Sequence, residues 1–165
     1  MQIIPLLLKE LDSEAAITRK MLSRIPDDKY DWKPHEKSMS IRQLAAHIAE
    51  IPGWITLALN TNELDFAKGD YKPANVNNTQ ELLGVLDQSV ASAKSALENA
   101  KEEDLLPDWT MRNGDQVYMV LSKYEVIRHA FAQLIHHRAQ MGVFLRLLNV
   151  PIPGTYGPSA DEMAF

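Results

Sequence analysis

Cysteine is absent from the chain. Its absence excludes a disulfide framework, a thiolate nucleophile and any sulfur-ligated metal centre. A reducing, cytoplasmic setting is the expectation. Long apolar runs are also missing, none approaching the ~18 residues that span a bilayer. The apolar opening Met1–Leu8 lacks a basic leader and a small-residue cleavage site, and Lys9-Glu10 interrupts it. Neither a signal peptide nor a membrane partner is expected. Basic residues are outnumbered, 17 Lys and Arg against 22 Asp and Glu, for a formal charge of −5. With no Lys/Arg stripe to follow a phosphate backbone, nucleic acid is not an expected partner. The serines are scattered and form no nucleophile elbow, so Ser–His–Asp chemistry finds no support.

What is present suits one domain over residues 1–165, with 45% apolar residues to build a core. Four segments carry helical periodicity. From about Ile3 to Ile25, Leu7, Leu11, Ala15, Thr18 and Leu22 recur three or four apart, until Pro26-Asp27-Asp28 stops the ladder. Ser40 reads as the cap of a second helix, with Gln43 where a capping box wants it. That helix runs to about Asn60 and is expected to kink at Pro52-Gly53. Residues 61–78 read as a long crossover loop. Thr79 reads as the cap of a third helix reaching about Ala100, with Leu82, Leu86, Val90, Ala93 and Leu97 on one face. Pro107 to Leu121, with Asn113-Gly114, suggests either a short hairpin or an extended crossing. The fourth helix spans about Ser122 to Asn149, and the Pro/Gly-rich tail after it is not helical. The expected fold is all-α, a four-helix bundle with long crossover loops.

The helical period also places the histidines. On the fourth helix Val126, Ala130, Leu134, Met141, Phe144 and Leu148 share one side, and His137 falls in its middle. Gln133 lies toward the edge of that side and His129 at its margin, while His136 and Gln140 lie on the more polar side. On the second helix, His47 borders the face made by Leu44, Ile48, Ile51 and Ile55. Two imidazoles from different helices therefore enter one interior. Buried ring nitrogens need partners. A divalent metal is one solution, and hydrogen bonding within the bundle is the other. His35, in a loop, and His136 read as hydrogen-bonded or surface groups. Glu102-Glu103-Asp104 reads as a solvated surface. Glu50, three residues after His47, reads as a group behind that imidazole or as surface.

The stretch Ser40-Ile41-Arg42-Gln43-Leu44-Ala45-Ala46-His47-Ile48-Ala49-Glu50, with Trp32-Lys33-Pro34 before it, resembles the second helix of the DinB-like superfamily. His129, His136-His137-Arg138-Ala139-Gln140 and Phe144-Leu145-Arg146-Leu147-Leu148 are similar to its last helix, and Pro153 to Asp161 to the ending of one subgroup. The resemblance implies a four-helix bundle, often a homodimer. It also implies a metal site of three histidines, one on the second helix and two on the fourth. By position these are His47, Gln133 and His137, so glutamine stands where the family has histidine. An amide oxygen is a harder, weaker ligand than imidazole. His129 lies roughly 12 Å from His137 along the helix axis, too far to share one ion.

Characterised relatives imply a metal-dependent thiol transferase or hydrolase. In such a protein zinc, nickel or manganese would activate a low-molecular-weight thiol, with Arg138 or Tyr156 as substrate contacts. Arg138 itself reads as turned away from the inner face and structural. The alternative is a non-enzymatic, stress-associated binding protein or structural homodimer with a degenerate metal site.

Overall fold

A computed structural model describes residues 2–69 and 72–163. Helix α1, Ile4–Leu22, opens with Pro5 in its first turn, where a missing N–H costs nothing. The N–H groups of Ile3 and Ile4 donate to the Glu102 carboxylate at 2.9 and 3.0 Å. Glu102, expected as solvated surface, is therefore the cap of a helix nearly a hundred residues away. The Ser40/Gln43 capping box opens α2, Ile41–Glu50, as the sequence predicts. Pro52 interrupts the hydrogen-bond ladder, so the expected single kinked helix is two, α2 and then α3, Gly53–Asn60.

Helix α4, Thr79–Asn99, is capped by Asn78, whose Oδ1 accepts from Glu81 N at 2.8 Å. Thr79, the expected cap, instead donates its hydroxyl to Ile25 O at 2.8 Å, tying α4 to the end of α1. Ser122 and Glu125 form a second capping box on α5, Lys123–Leu147.

The expectation of a purely helical chain is corrected by a three-stranded sheet. Strands β2, Asp108–Asn113, and β3, Gln116–Ser122, form a hairpin, one of the two alternatives the sequence left open, with Gly114-Asp115 as its turn and Asn113 paired to Gln116. Gly114 takes the left-handed conformation in the turn, φ 57°. Within the crossover after α3, β1, Glu63–Asp65, pairs in parallel with β2, Glu63 opposite Thr110. Asp65 Oδ1 accepts from Gly114 N at 2.9 Å and locks the turn to the crossover.

Cross-helix contacts fix the directions of the bundle. Glu10 pairs with Arg128, and Glu14 with Arg138, so α1 and α5 run parallel. Asp12 with Lys94 and Arg19 with Asp87 make α4 antiparallel to α1. Arg42 reaches Asn77, and the Thr56 and Ser92 hydroxyls meet at 2.9 Å, so α2–α3 runs with α4. The order is up, down, down, up. A parallel step from α3 to α4 forces the chain back along the bundle, which is the work of the long crossover. Leu22, Ile41, Leu44, Ile48, Leu82 and Leu86 build the core at one end, and Leu11, Ile55, Leu97, Trp109, Ile127 and Phe131 at the other.

An ionic cluster lies between α1, α5 and the tail. Glu14 and Arg138 are 5% and 2% exposed. Arg138 Nη1 stands 2.7 Å from Glu14 Oε2 and donates to Thr18 Oγ1 at 2.9 Å. Its Nη2 donates to the Tyr156 hydroxyl at 2.6 Å, and that hydroxyl donates to Glu14 Oε1 at 2.6 Å. Arg138 does turn away from the His137 face, as expected. It is buried all the same, because α5 packs against α1 on that side as well. Arg138 and Tyr156, offered from sequence as substrate contacts, are bound to each other and to α1.

Removing one partner of a buried ion pair leaves an uncompensated charge. Arg138→Met should cost about 3–5 kcal/mol, read as a lower urea midpoint, and Glu14→Gln in that background should recover part of it. The phenol of Tyr156 is pushed up to about 12, first by burial and then by its hydrogen bond to Glu14. The unfolded chain ionises this group near its ordinary 10.0. Its contribution to stability is therefore full below pH 10.0 and is lost as pH rises towards about 12. Tyr156→Phe should make the alkaline loss of stability shallower, measured by urea unfolding across that range.

Candidate functional site

Helices α2–α3 and α5 are antiparallel neighbours, and the seam between them holds the imidazoles. His47 lies one turn before the end of α2, and His137 faces it from the middle of α5. Their ring centroids are 4.8 Å apart with planes at 73°. Both are half-buried, at the mouth of the seam and outside the innermost core. Gln133, one turn before His137, puts Oε1 2.8 Å from His137 Nε2. Gln140, one turn after it, puts Oε1 2.9 Å from Nδ1. A neutral imidazole donates through one nitrogen only, so one of the two amides must offer its NH2 group instead. The ring is thus gripped from both sides along its own helix. Burial, and then the charge of His137, holds His47 below the ordinary histidine range. A neutral ring keeps a lone pair available. Among the described residues His47 makes no hydrogen bond through its ring.

The three residues singled out by sequence, His47, Gln133 and His137, are therefore brought together. Among the described residues, no three His, Cys, Asp or Glu side chains gather to hold an ion. A third donor at this point has to be the glutamine amide. His136 is exposed, with its ring 5.0 Å from that of His137. His35 is exposed in its loop, and its Nδ1 accepts from Lys37 N at 3.1 Å. Glu50 turns Oε1 to Ala74 N at 2.7 Å and so fastens the crossover to α2.

The imidazole pair divides the seam into two cavities. One, of about 170 Å³, is lined by His47, Ile51, Trp54, His129, Ala130 and Gln133. The other, of about 370 Å³, lies beyond His137 and is walled by Met39, Leu44, Val143 and Phe144, with Ser38 and Gln140 as polar members. Trp32 braces Phe144 edge-on at 5.7 Å, and Trp109 backs Trp54 at 6.5 Å. Gln140, expected on the more polar side of its helix, borders the site, and Trp54 enters it from the first turn of α3. The spacing Gln133, His137, Gln140 carried the missed signal, since residues three and four apart share a helix face. A larger cavity, about 630 Å³, lies between α5 and the tail, where Arg138 and Arg146 reach its wall and no histidine does.

The sequence profile described as the DinB family matches residues 1–164. Among solved structures, a DinB-like protein of Bacillus subtilis superposes with a TM-score of 0.69 at 16% identity, covering 96% of this chain and 99% of its own. YfiT of Bacillus subtilis, described as a probable metal-dependent hydrolase with an unusual four-helix bundle topology, gives 0.62 at 13% identity over 90% and 89%. A mycothiol-dependent maleylpyruvate isomerase gives 0.60 at 14% identity, covering 84% of this chain and 60% of the larger protein.

Proposed function

The chain belongs to the DinB family, and we propose that His47, Gln133 and His137 hold a divalent metal ion serving a hydrolase or a thiol-dependent transferase. The observation that carries this reading is the meeting of His47 and His137 across two helices, with Gln133 beside them. The donor set fits such an ion. It offers two imidazoles and an amide oxygen, and His47 is biased towards its neutral, ligating form. If Nδ1–H of His137 is given to Gln140, Nε2 is left with the lone pair that a metal needs. An ion held there lowers the pKa of a bound water or thiol, which supplies the nucleophile a cysteine-free chain lacks.

The protein's own part is positional. Gln140 fixes the ring of His137, and the two cavities place reactants on either side of the pair. The 370 Å³ cavity has room for a low-molecular-weight thiol. Two structural relatives lend support, one acting with mycothiol and one described as a probable metal-dependent hydrolase. Of zinc, nickel and manganese, the amide oxygen suits manganese best. A cytoplasmic homodimer is the setting this reading assumes.

A second reading has its own observation. Both ring nitrogens of His137 already face glutamine amides, as in a metal-free, hydrogen-bonded site. A stress-associated binding protein or structural homodimer with a degenerate site would look like this.

Isothermal titration of untagged protein with zinc, nickel and manganese separates the two. One ion per chain is expected, lost in His47→Ala and in His137→Ala. Gln133→His should tighten zinc by about tenfold or more. No heat and no change in unfolding midpoint with any of the three metals would leave only the second reading.

A further inference from the structure

We propose that the cavity framed by Trp54 and His129 is the binding pocket for a small, single-ring organic molecule with a hydrogen-bond acceptor, carboxylate or carbonyl, at one end. The proposal deepens the metal-site reading, on which it rests for where the reacting end of the ligand lies.

Size comes first. The cavity's 170 Å³ is close to the ~150 Å³ of an engineered apolar cavity that takes up benzene. Its walls are chemically uneven. Ile51, Trp54 and Ala130 offer flat and aliphatic surface, while His47 and Gln133 stand at one end and His129 at the other. Among the described residues no Asp, Glu, Lys or Arg lines it, so an apolar body is accepted at little desolvation cost.

His129 is the residue this space leaves unexplained. It is half-buried, and among the described residues its ring makes no hydrogen bond, ion pair or aromatic contact. An imidazole carries an N–H in either protonation state, so it offers a donor to whatever enters. One helical turn separates His129 from Gln133, roughly 6 Å along the axis. A ligand anchored by an acceptor at His129 therefore extends about one ring's length before its far end meets His47 and Gln133. This gives His129 a role its distance from His137 denies it as a metal ligand.

The test uses chelator-treated full-length protein, so that its outcome does not depend on metal. Benzoate, benzamide and toluene are titrated while the indole N–H resonances are followed, Trp54 being assigned with Trp54→Phe. Benzoate or benzamide should shift the Trp54 signal and bind more tightly than toluene. The preferred one of the two identifies the acceptor as carboxylate or carbonyl. His129→Leu should weaken that binding by about tenfold, whereas His129→Gln, which keeps an N–H donor, should retain most of it. Zinc titration of His129→Leu should match the parent protein, which separates this pocket from the metal site. Equal binding of all three compounds, equal binding by His129→Leu, or no shift of the Trp54 signal with any of them would overturn the proposal.

Discussion

A guanidinium shut away from water cannot give up its carboxylate, and this constraint on Arg138 and Glu14 organises the molecule around it. The pair fixes the rotation of α5 about its own axis, because Arg138 must face α1. Successive residues of a helix differ by about 100° in direction. Holding Arg138 on α1 therefore turns His137 out of that interface and into the seam with α2. Tyr156 adds the tail to the same cluster by giving its hydroxyl to Glu14 and accepting from Arg138. Tyr156 as a residue remains 57% exposed, so its hydroxyl hydrogen bonds add to the packing of Val150 and Ile152 against the core in anchoring the tail.

The seam itself owes its shape to the break at Pro52. Were α2 and α3 continuous, one straight cylinder would lie along α5. With the ladder interrupted, Trp54 sits in the first turn of a new helix and comes to rest against Trp109 of the hairpin, leaving a gap lined by His129 and Ala130. The imidazole pair closes one side of that gap and opens on a second, wider one. A site placed between packed elements in this way takes its precision from two helices and its access from the space between them.

Local signals were legible in the sequence, and distant ones were not. The Ser40/Gln43 box, the turn at Gly114 and the inward approach of His47 and His137 each rest on residues a few positions apart, where helix and turn geometry dictate the outcome. Asn78 and Thr79 are both good caps, and the choice between them was made by Ile25, which gives Thr79 another use. Glu102 reads as one of three surface acids until α1 is laid beside it. Arg138 was legible as structural and turned from the His137 face, while its burial was not, for a related reason. A single apolar stripe implies one buried side, whereas α5 touches α1 as well as α2–α3 and so has two. The parallel pairing of β1 with β2 joins segments 47 residues apart, and three residues of strand carry no pattern of their own. Gln133 reached the candidate site through the family resemblance, and its bond to His137 is what the structure adds.

The up, down, down, up order also has a meaning in time. The contacts that bind α1 span 82 residues to Lys94, 118 to Arg128 and 120 to Thr18's partner Arg138. At ~5–20 residues per second of synthesis, the wait for those partners is on the order of ten seconds. Through that interval Leu7, Leu11 and Leu22 lack the share of their cover that α4 and α5 supply, and Glu14 stays hydrated until its guanidinium arrives. The earliest helix of the bundle is thus among the last to be sealed.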